Sequence, residues 1–179
     1  MNNRLFRKRA LIPQPHRPTY PAMSTEQTSA AARRAAFAAE IQARTGIDEA
    51  MIERLIRAFY QRVQRDPIIG PVFASRISDW EPHLQQMFAF WSSVALMSGR
   101  YHGQPMQKHL LLPIDARHFD RWLALFEETA RELCPPAAAD HFANSARRIG
   151  ESLELGIAGA AGKMLPSGER LHRPELDVA

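Results

Sequence analysis

The segment Tyr101–Pro113 constrains this chain most, because it isolates a very short helix between glycine and proline breaks. Gly103 and Pro105 bound the helix on one side, and Pro113 ends it on the other. Isolated helices of fewer than about 12 residues are marginal in water. Contacts made elsewhere must therefore hold this helix, and a metal bond to its single histidine, His109, is the sharpest candidate.

The other patterns in the chain are helical, with no strand-like alternation, and they predict an all-α fold. Apolar residues recur at helical spacing over residues 48–66, about 78–99, about 114–134 and about 137–158. Residues 26–44 are rich in alanine and can form a further helix with a weak apolar face. Four substantial helices would thus surround one short helix that carries a histidine.

The positive charge of the chain is concentrated at its N-terminus. The formal net charge is +4, and residues 1–22 contain five basic residues and no acid, so residues 23–179 carry −1. This balance does not support a basic surface for phosphates on the domain, and we expect no nucleic-acid partner; binding through the basic N-terminal stretch is the weaker alternative. The same stretch is rich in proline, so we interpret residues 1–24 as a disordered extension. It is either an over-extended start before Met23 or a short basic interaction tail.

The remaining composition favours a single domain in a reducing compartment. No run approaches the ~18 consecutive apolar residues of a membrane span, so we expect no membrane partner. The one cysteine, Cys134, excludes an internal disulfide and favours a cytoplasmic location. Residues 25–160 are predicted to form the domain, and residues 161–179, which contain glycine and proline, to form a loose tail.

Three polar side chains interrupt the apolar faces of the predicted helices. They are Tyr60 on the first, His83 at the start of the second and Trp122 on the third. Taken singly, a buried tyrosine or tryptophan is usually a core residue with a backbone partner. A zinc site between His102 and His109 is not indicated, because the breaks between them prevent a continuous helix and no ligand cluster completes a site.

Further motifs follow one another along the chain in a defined order. They are Phe59-Tyr60, Gly70-Pro71-Val72-Phe73, Trp80 with His83, Phe90-Trp91, Gly103-Gln104-Pro105-Met106-Gln107-Lys108-His109, and Phe119-Asp120-Arg121-Trp122-Leu123-Ala124-Leu125-Phe126. Over roughly residues 47–158 this order resembles the group III truncated haemoglobins, the bacterial two-over-two globins. The order of several separate anchors makes the resemblance specific.

The resemblance implies a two-over-two globin fold that holds haem b. His109 corresponds to the proximal histidine that binds the haem iron. The implied distal residues, which face an iron-bound ligand, are Tyr60, His83, Met87 and Trp122. The implied haem contacts are Phe73, Trp91, Met106, Leu112, His118 and Phe119. By position alone, Arg76, Lys108, Arg117 and His118 are candidates for the haem propionates, although ordinary solvated charges explain them equally well.

The implied distal donors bear on the function. Charge-assisted hydrogen bonds from Tyr60 and Trp122 would each stabilise bound dioxygen by about 1.5–3 kcal/mol and would slow its release. We therefore expect dioxygen, nitric oxide or related ligands, for redox chemistry or sensing and not for bulk oxygen transport. Nitric oxide dioxygenase or peroxidase-like activity stays open, with no catalytic residue assigned.

Partners and the competing interpretation complete the expectations. Redox turnover would need an unidentified reductase, and we expect a monomer or a weak oligomer. The alternative is a haem-free helical interaction or regulatory domain, in which Tyr60, His83 and Trp122 are only core residues.

Overall fold

The computed structural model describes residues 25–176, with side chains from residue 31 onward. Across this range it contains no strand, and none of its helices combines the length and apolar character of a membrane span. The predicted N-terminal extension, residues 1–24, lies outside the described residues. The helices are α1 (Thr25–Thr45), α2 (Glu49–Val63), α3 (Gly70–Ala74), α4 (Trp80–Leu96), α5 (Pro105–His109), α6 (Ala116–Leu133) and α7 (Pro136–Ala160), followed by a 3₁₀ turn (Pro174–Leu176).

The helices begin where the sequence supplies a cap. Asp48 accepts a hydrogen bond from the Met51 N–H at 2.7 Å and starts α2. Asp115 and His118 form a reciprocal capping box at the start of α6. Pro136 takes the first position of α7, where its missing N–H costs nothing. These local signals place the starts of α2, α6 and α7 within two residues of the predicted ones.

Aromatic rings form the centre of the core. Helix α2 packs against α4 and α6, and α6 packs along α7. Between them the Trp91 ring stacks on Phe126 with centroids 4.6 Å apart, and Phe59 meets Phe126 edge-on at 5.1 Å. Such pairs contribute about 0.5–1.5 kcal/mol each beyond area burial. The stack thus joins α2, α4 and α6, three of the four long helices predicted from periodicity.

The Gly70-Pro71-Val72-Phe73 motif forms most of the one-turn helix α3. A Cβ at Gly70 would lie 2.9 Å from the Val63 carbonyl oxygen, so glycine allows α3 to approach the end of α2. The Asp66 carboxylate accepts hydrogen bonds from the N–H groups of Ile68 and Ile69. This turn brings α3 back alongside α2.

The chain after α7 differs from the predicted loose tail. Leu171 is buried at 1% exposure, and its carbonyl accepts a hydrogen bond from the Ala116 N–H at 2.8 Å. The segment around Leu171 therefore lies against the start of α6, and of the predicted tail only residues 177–179 lie beyond the described range. Local composition gave no sign of this anchor, because it is an apolar contact between residues distant in sequence.

The Asp66 carboxylate generates a stability prediction. Burial works to raise the pKa of Asp66, but the Ile69 N–H and the Arg121 guanidinium outweigh burial and hold that pKa below its usual range. We expect Asp66→Asn to lower the free energy of unfolding by about 2 kcal/mol at pH 7, measured by urea titration. Because the folded pKa is depressed, the contribution is complete above about pH 4 and is lost as the pH falls further.

A matched control is Asp79→Asn, which weakens the single, exposed cap bond of Asp79 to the Glu81 N–H at 3.2 Å. It should cost less than about 1 kcal/mol. Equal losses for the two variants at pH 7, or a difference that persists at pH 2, would contradict the role given to Asp66.

Candidate functional site

One cavity of about 320 Å³ gathers residues from α2 through α7. Most of the residues predicted to form a site line it, although they are up to 62 positions apart along the chain, from residue 60 to residue 122. The predicted site residues on its wall are Tyr60, Phe73, His83, Met87, Trp91, His109, Leu112, His118, Phe119 and Trp122. The fold therefore assembles in one place side chains that the sequence presents separately.

Met106 is the predicted haem contact that the cavity wall does not include. Its thioether packs onto Gly156 of α7, at the position that a Cβ there would occupy. Methionine adapts readily to such gaps. The pair joins α5 to α7, so the structure gives Met106 a place in holding the short helix and not in the lining of the cavity.

His109 ends α5 with one ring nitrogen already engaged. Its Nδ1 lies 2.7 Å from the carbonyl oxygen of Pro105, one turn earlier. A carbonyl only accepts, so this contact makes Nδ1 the protonated nitrogen and leaves the lone pair on Nε2. Metal-binding histidines commonly have this second contact, which orients the ring and increases its basicity.

Three polar groups on the cavity wall, the Tyr60 hydroxyl, the Trp122 indole N–H and the His83 Nε2, make no hydrogen bond within the described part of the protein. Tyr60 is 4% exposed, yet no described group makes a hydrogen bond with its hydroxyl or with the Trp122 indole N–H. The Tyr60 ring meets His83 edge-on with centroids 5.1 Å apart, and it contacts the Phe73 ring at 5.8 Å. Buried polar groups are usually satisfied, so this set of donors is available to a molecule in the cavity.

His83 is held in its neutral form. Its Nε2 is buried and has no hydrogen-bond partner. Burial lowers the pKa of His83, and the nearby positive charge of Lys108 lowers it further. Neutral imidazole presents one donor and one acceptor to the cavity at physiological pH.

Three of the four candidate partners for the haem propionates line the cavity, and the fourth does not. Arg76, Lys108 and His118 line the cavity, and the Lys108 ammonium also donates to Gln86 at 3.3 Å. His118 contacts Asp115 through Nδ1 in the α6 capping box. Arg117 is not on the wall; its guanidinium pairs with Asp115 at 2.8 Å. The Asp115 contacts explain two residues that sequence position alone left ambiguous.

Sequence reasoning missed part of the wall. The missed residues are Ile69, Val72, Ile77, Gln86, Phe90, Tyr101, Pro105, Ile114, Ile149, Gly150 and Leu153. Most are apolar, and they carried no chemical signal of a site. Ile149 and Leu153 do belong to the inward face predicted for α7, so helix periodicity was the available clue to them.

Comparison with known proteins places this site in a family. The sequence model of the family described as Bacterial-like globin matches residues 43–146. The chain belongs to this globin family. The globin is 38% identical over 88 residues to a group 3 truncated hemoglobin of Campylobacter jejuni, covering 46% of the chain and 69% of that protein.

A group 2 truncated hemoglobin of Bacillus subtilis is 27% identical over 84 residues, covering 46% of this globin and 64% of that protein. Among solved structures, the crystal structure of the group III truncated hemoglobin from Campylobacter jejuni superimposes with a TM-score of 0.56 and 31% identity. That match covers 60% of this chain and 88% of the other. The fold and the group III resemblance are thereby confirmed.

The residues of this globin fit the haem that its family implies. In the described part of the chain, no group of three His, Cys, Asp or Glu side chains is placed to hold a metal ion. Haem iron, whose other ligands come from the porphyrin, needs one protein ligand, and the Nε2 of His109 would supply it. The buried Nε2 of His83 has no hydrogen-bond partner in the protein, and a ligand in the same cavity could provide one.

The environment of His83 generates a prediction in the protein without haem. We expect its imidazole to titrate below the usual pKa of about 6.5, measured by NMR and assigned with His83→Gln. Because the unfolded chain then binds the proton more readily, His83 contributes stability above about pH 6.5 and loses it as the pH falls. A pKa at or above 6.5 would contradict its burial beside a positive charge.

Proposed function

We propose that this globin binds haem through His109 and uses Tyr60 and Trp122 to retain a diatomic ligand, for ligand chemistry or sensing. One observation carries the proposal: the buried His83 Nε2 and the hydroxyl of the buried Tyr60, which make no hydrogen bond within the protein, share an apolar cavity with a histidine whose Nδ1 is already engaged. A core built only for stability would satisfy those groups or replace them, because an unpaired buried polar group costs about 1–3 kcal/mol.

In this proposal one residue binds the iron and two others donate hydrogen bonds to the ligand. His109 would provide Nε2, held in orientation by the Pro105 carbonyl. Tyr60 would donate its hydroxyl proton to a polar ligand, and burial, which raises the pKa of this phenol, keeps that proton in place. Trp122 would donate its indole N–H, which bears no acceptor lone pair and so favours ligands that carry negative charge.

Haem, when bound, supplies an open coordination position and the one electron that conversion of nitric oxide and dioxygen to nitrate requires. That stoichiometry calls for a reductase to return the electron after each turnover. Strong retention of dioxygen suits this chemistry or sensing, since transport depends on rapid release. Of these two roles, nitric oxide detoxification is the one to assay first, by measuring nitrate formation with an external electron source.

Removal of the proximal imidazole tests the cofactor. Wild-type protein mixed with haem should develop a Soret band, and His109→Ala should lose it or shift it, because the iron would lose its protein ligand. The matched control is His102→Ala, an exposed histidine seven residues earlier that does not line the cavity. Identical Soret bands for wild type and His109→Ala would refute the proximal assignment, and absence of a Soret band in the wild type would favour the haem-free helical domain.

Removal of the distal donors tests ligand retention. Tyr60→Phe and Trp122→Phe should each speed dioxygen dissociation by about 10- to 100-fold, from about 1.5–3 kcal/mol per charge-assisted bond. The measurement is stopped-flow displacement of dioxygen by carbon monoxide. Tyr101→Phe is the control: Tyr101 also lines the cavity, but its hydroxyl packs against Gly103. Dissociation as slow in both distal variants as in wild type would remove the basis for retention.

A further inference from the structure

The chain beyond α7 makes a continuous set of contacts beneath the site. Residues 163–176, here called the C-terminal strap, follow the end of α7 and lie outside the residues matched by the family model. The strap runs past the start of α6 and the turn that joins α5 to α6. These two elements follow His109 and carry Leu112, His118 and Phe119 of the cavity wall, so the strap contacts the frame of the cavity without lining it.

An apolar anchor seats the strap. Leu171 packs in a small buried cluster with Ile114, Phe119, Ile157 and Ala158. Ile114 and Phe119 also form part of the cavity wall. One side chain of the strap therefore packs behind residues whose other surfaces face the site. Full burial of a leucine contributes about 1.5–3 kcal/mol.

A buried carboxylate completes the anchor. Glu154 of α7 is 5% exposed and accepts hydrogen bonds from Arg170 Nε at 3.0 Å and from the Leu171 N–H at 2.7 Å. Arg170 extends to Asp120 of α6 at 2.8 Å. The Leu171 carbonyl accepts from the Ala116 N–H, one of the first amides of α6, which have no partner within the helix.

The strap also reaches the turn after the histidine. Arg173 Nη1 donates to the Leu112 carbonyl at 3.3 Å. The Leu112 N–H in turn donates to the His109 carbonyl at 3.0 Å. A chain of two hydrogen bonds thus leads from Arg173 to the backbone of the proximal residue. Helix α5 has only five residues and gains little order from its own hydrogen bonds.

We propose that the C-terminal strap positions His109 for the haem, with Arg173 and Leu171 as its positioning residues. Leu171 and Glu154 fix the strap to the body of the globin, and Arg173 transmits that constraint to the turn that follows α5. The inference rests on the proposed haem function, but the contacts themselves form without haem. The strap can therefore be tested with and without the cofactor.

The test uses the full chain with Arg173→Ala, Leu171→Ala and Arg173→Lys, which keeps a cation near the Leu112 carbonyl. Arg131→Ala is the control, because it removes an exposed arginine of α6 with one ion pair, to Glu127. Hydrogen exchange of residues 105–114 is measured in the haem-free protein. Haem loss to excess apomyoglobin and the ferrous iron–histidine stretching band are measured in the loaded protein.

We expect Arg173→Ala to speed exchange in residues 105–114 and haem loss by about 3- to 10-fold, as one hydrogen bond of about 0.5–1.5 kcal/mol predicts. The stretching band should shift or broaden, while the urea midpoint stays near that of Arg131→Ala. Leu171→Ala should show larger effects, and Arg173→Lys should restore most of the wild-type behaviour. If Leu171→Ala does not fold, the Arg173 variants still decide the matter.

Three results would count against the inference in separable ways. Unchanged exchange in residues 105–114 in Arg173→Ala would overturn the strap as a restraint on α5. Faster exchange with unchanged haem loss and an unchanged stretching band would overturn its effect on His109. Absence of a Soret band in the wild type would instead refute the proposed function, whatever the exchange data show.

Discussion

The site depends on how a five-residue helix is held in place. Helix α5 cannot order itself, because so few residues form little more than one turn of hydrogen bonds. Its restraints come from outside: the Met106 thioether on Gly156 of α7, and Arg173 on the Leu112 carbonyl. Within the helix, the Pro105 carbonyl orients the His109 ring. Without those contacts the Nε2 of His109 would have no defined position.

The part of the cavity wall that carries Tyr60, His83 and Trp122 is held differently. Its backbone belongs to the long helices α2, α4 and α6, and the stacked rings of Trp91, Phe126 and Trp122 join α4 to α6. This rigid frame can tolerate polar groups that have no partner, such as the Tyr60 hydroxyl and the buried His83 Nε2. Buried polar groups without hydrogen-bond partners are found mainly at functional sites, where a bound molecule can satisfy them. The two walls together combine a restrained ligand donor with preorganised hydrogen-bond donors.

Helix positions were accessible from the sequence, because caps, proline breaks and apolar spacing act over a few residues. The candidate site residues were predicted instead from the resemblance to the group III truncated haemoglobins. Asp48 and Asp115 start helices as expected, and His109 lies on the predicted short helix. The direction of Met106 was not accessible. Residues in one turn of helix can face opposite ways, and only the place of α7 decides that Met106 meets Gly156.

The sequence by itself determined the all-helical fold, the short α5 with its single histidine, and the motif order that indicated a truncated globin. Tertiary structure alone decided which buried polar groups remain unpartnered, and that the segment around Leu171 packs beneath the site. The physical reason is range. Helix signals are local, whereas the contact of Leu171 with Ile114 joins positions 57 residues apart and exists only once α6 and α7 have packed together.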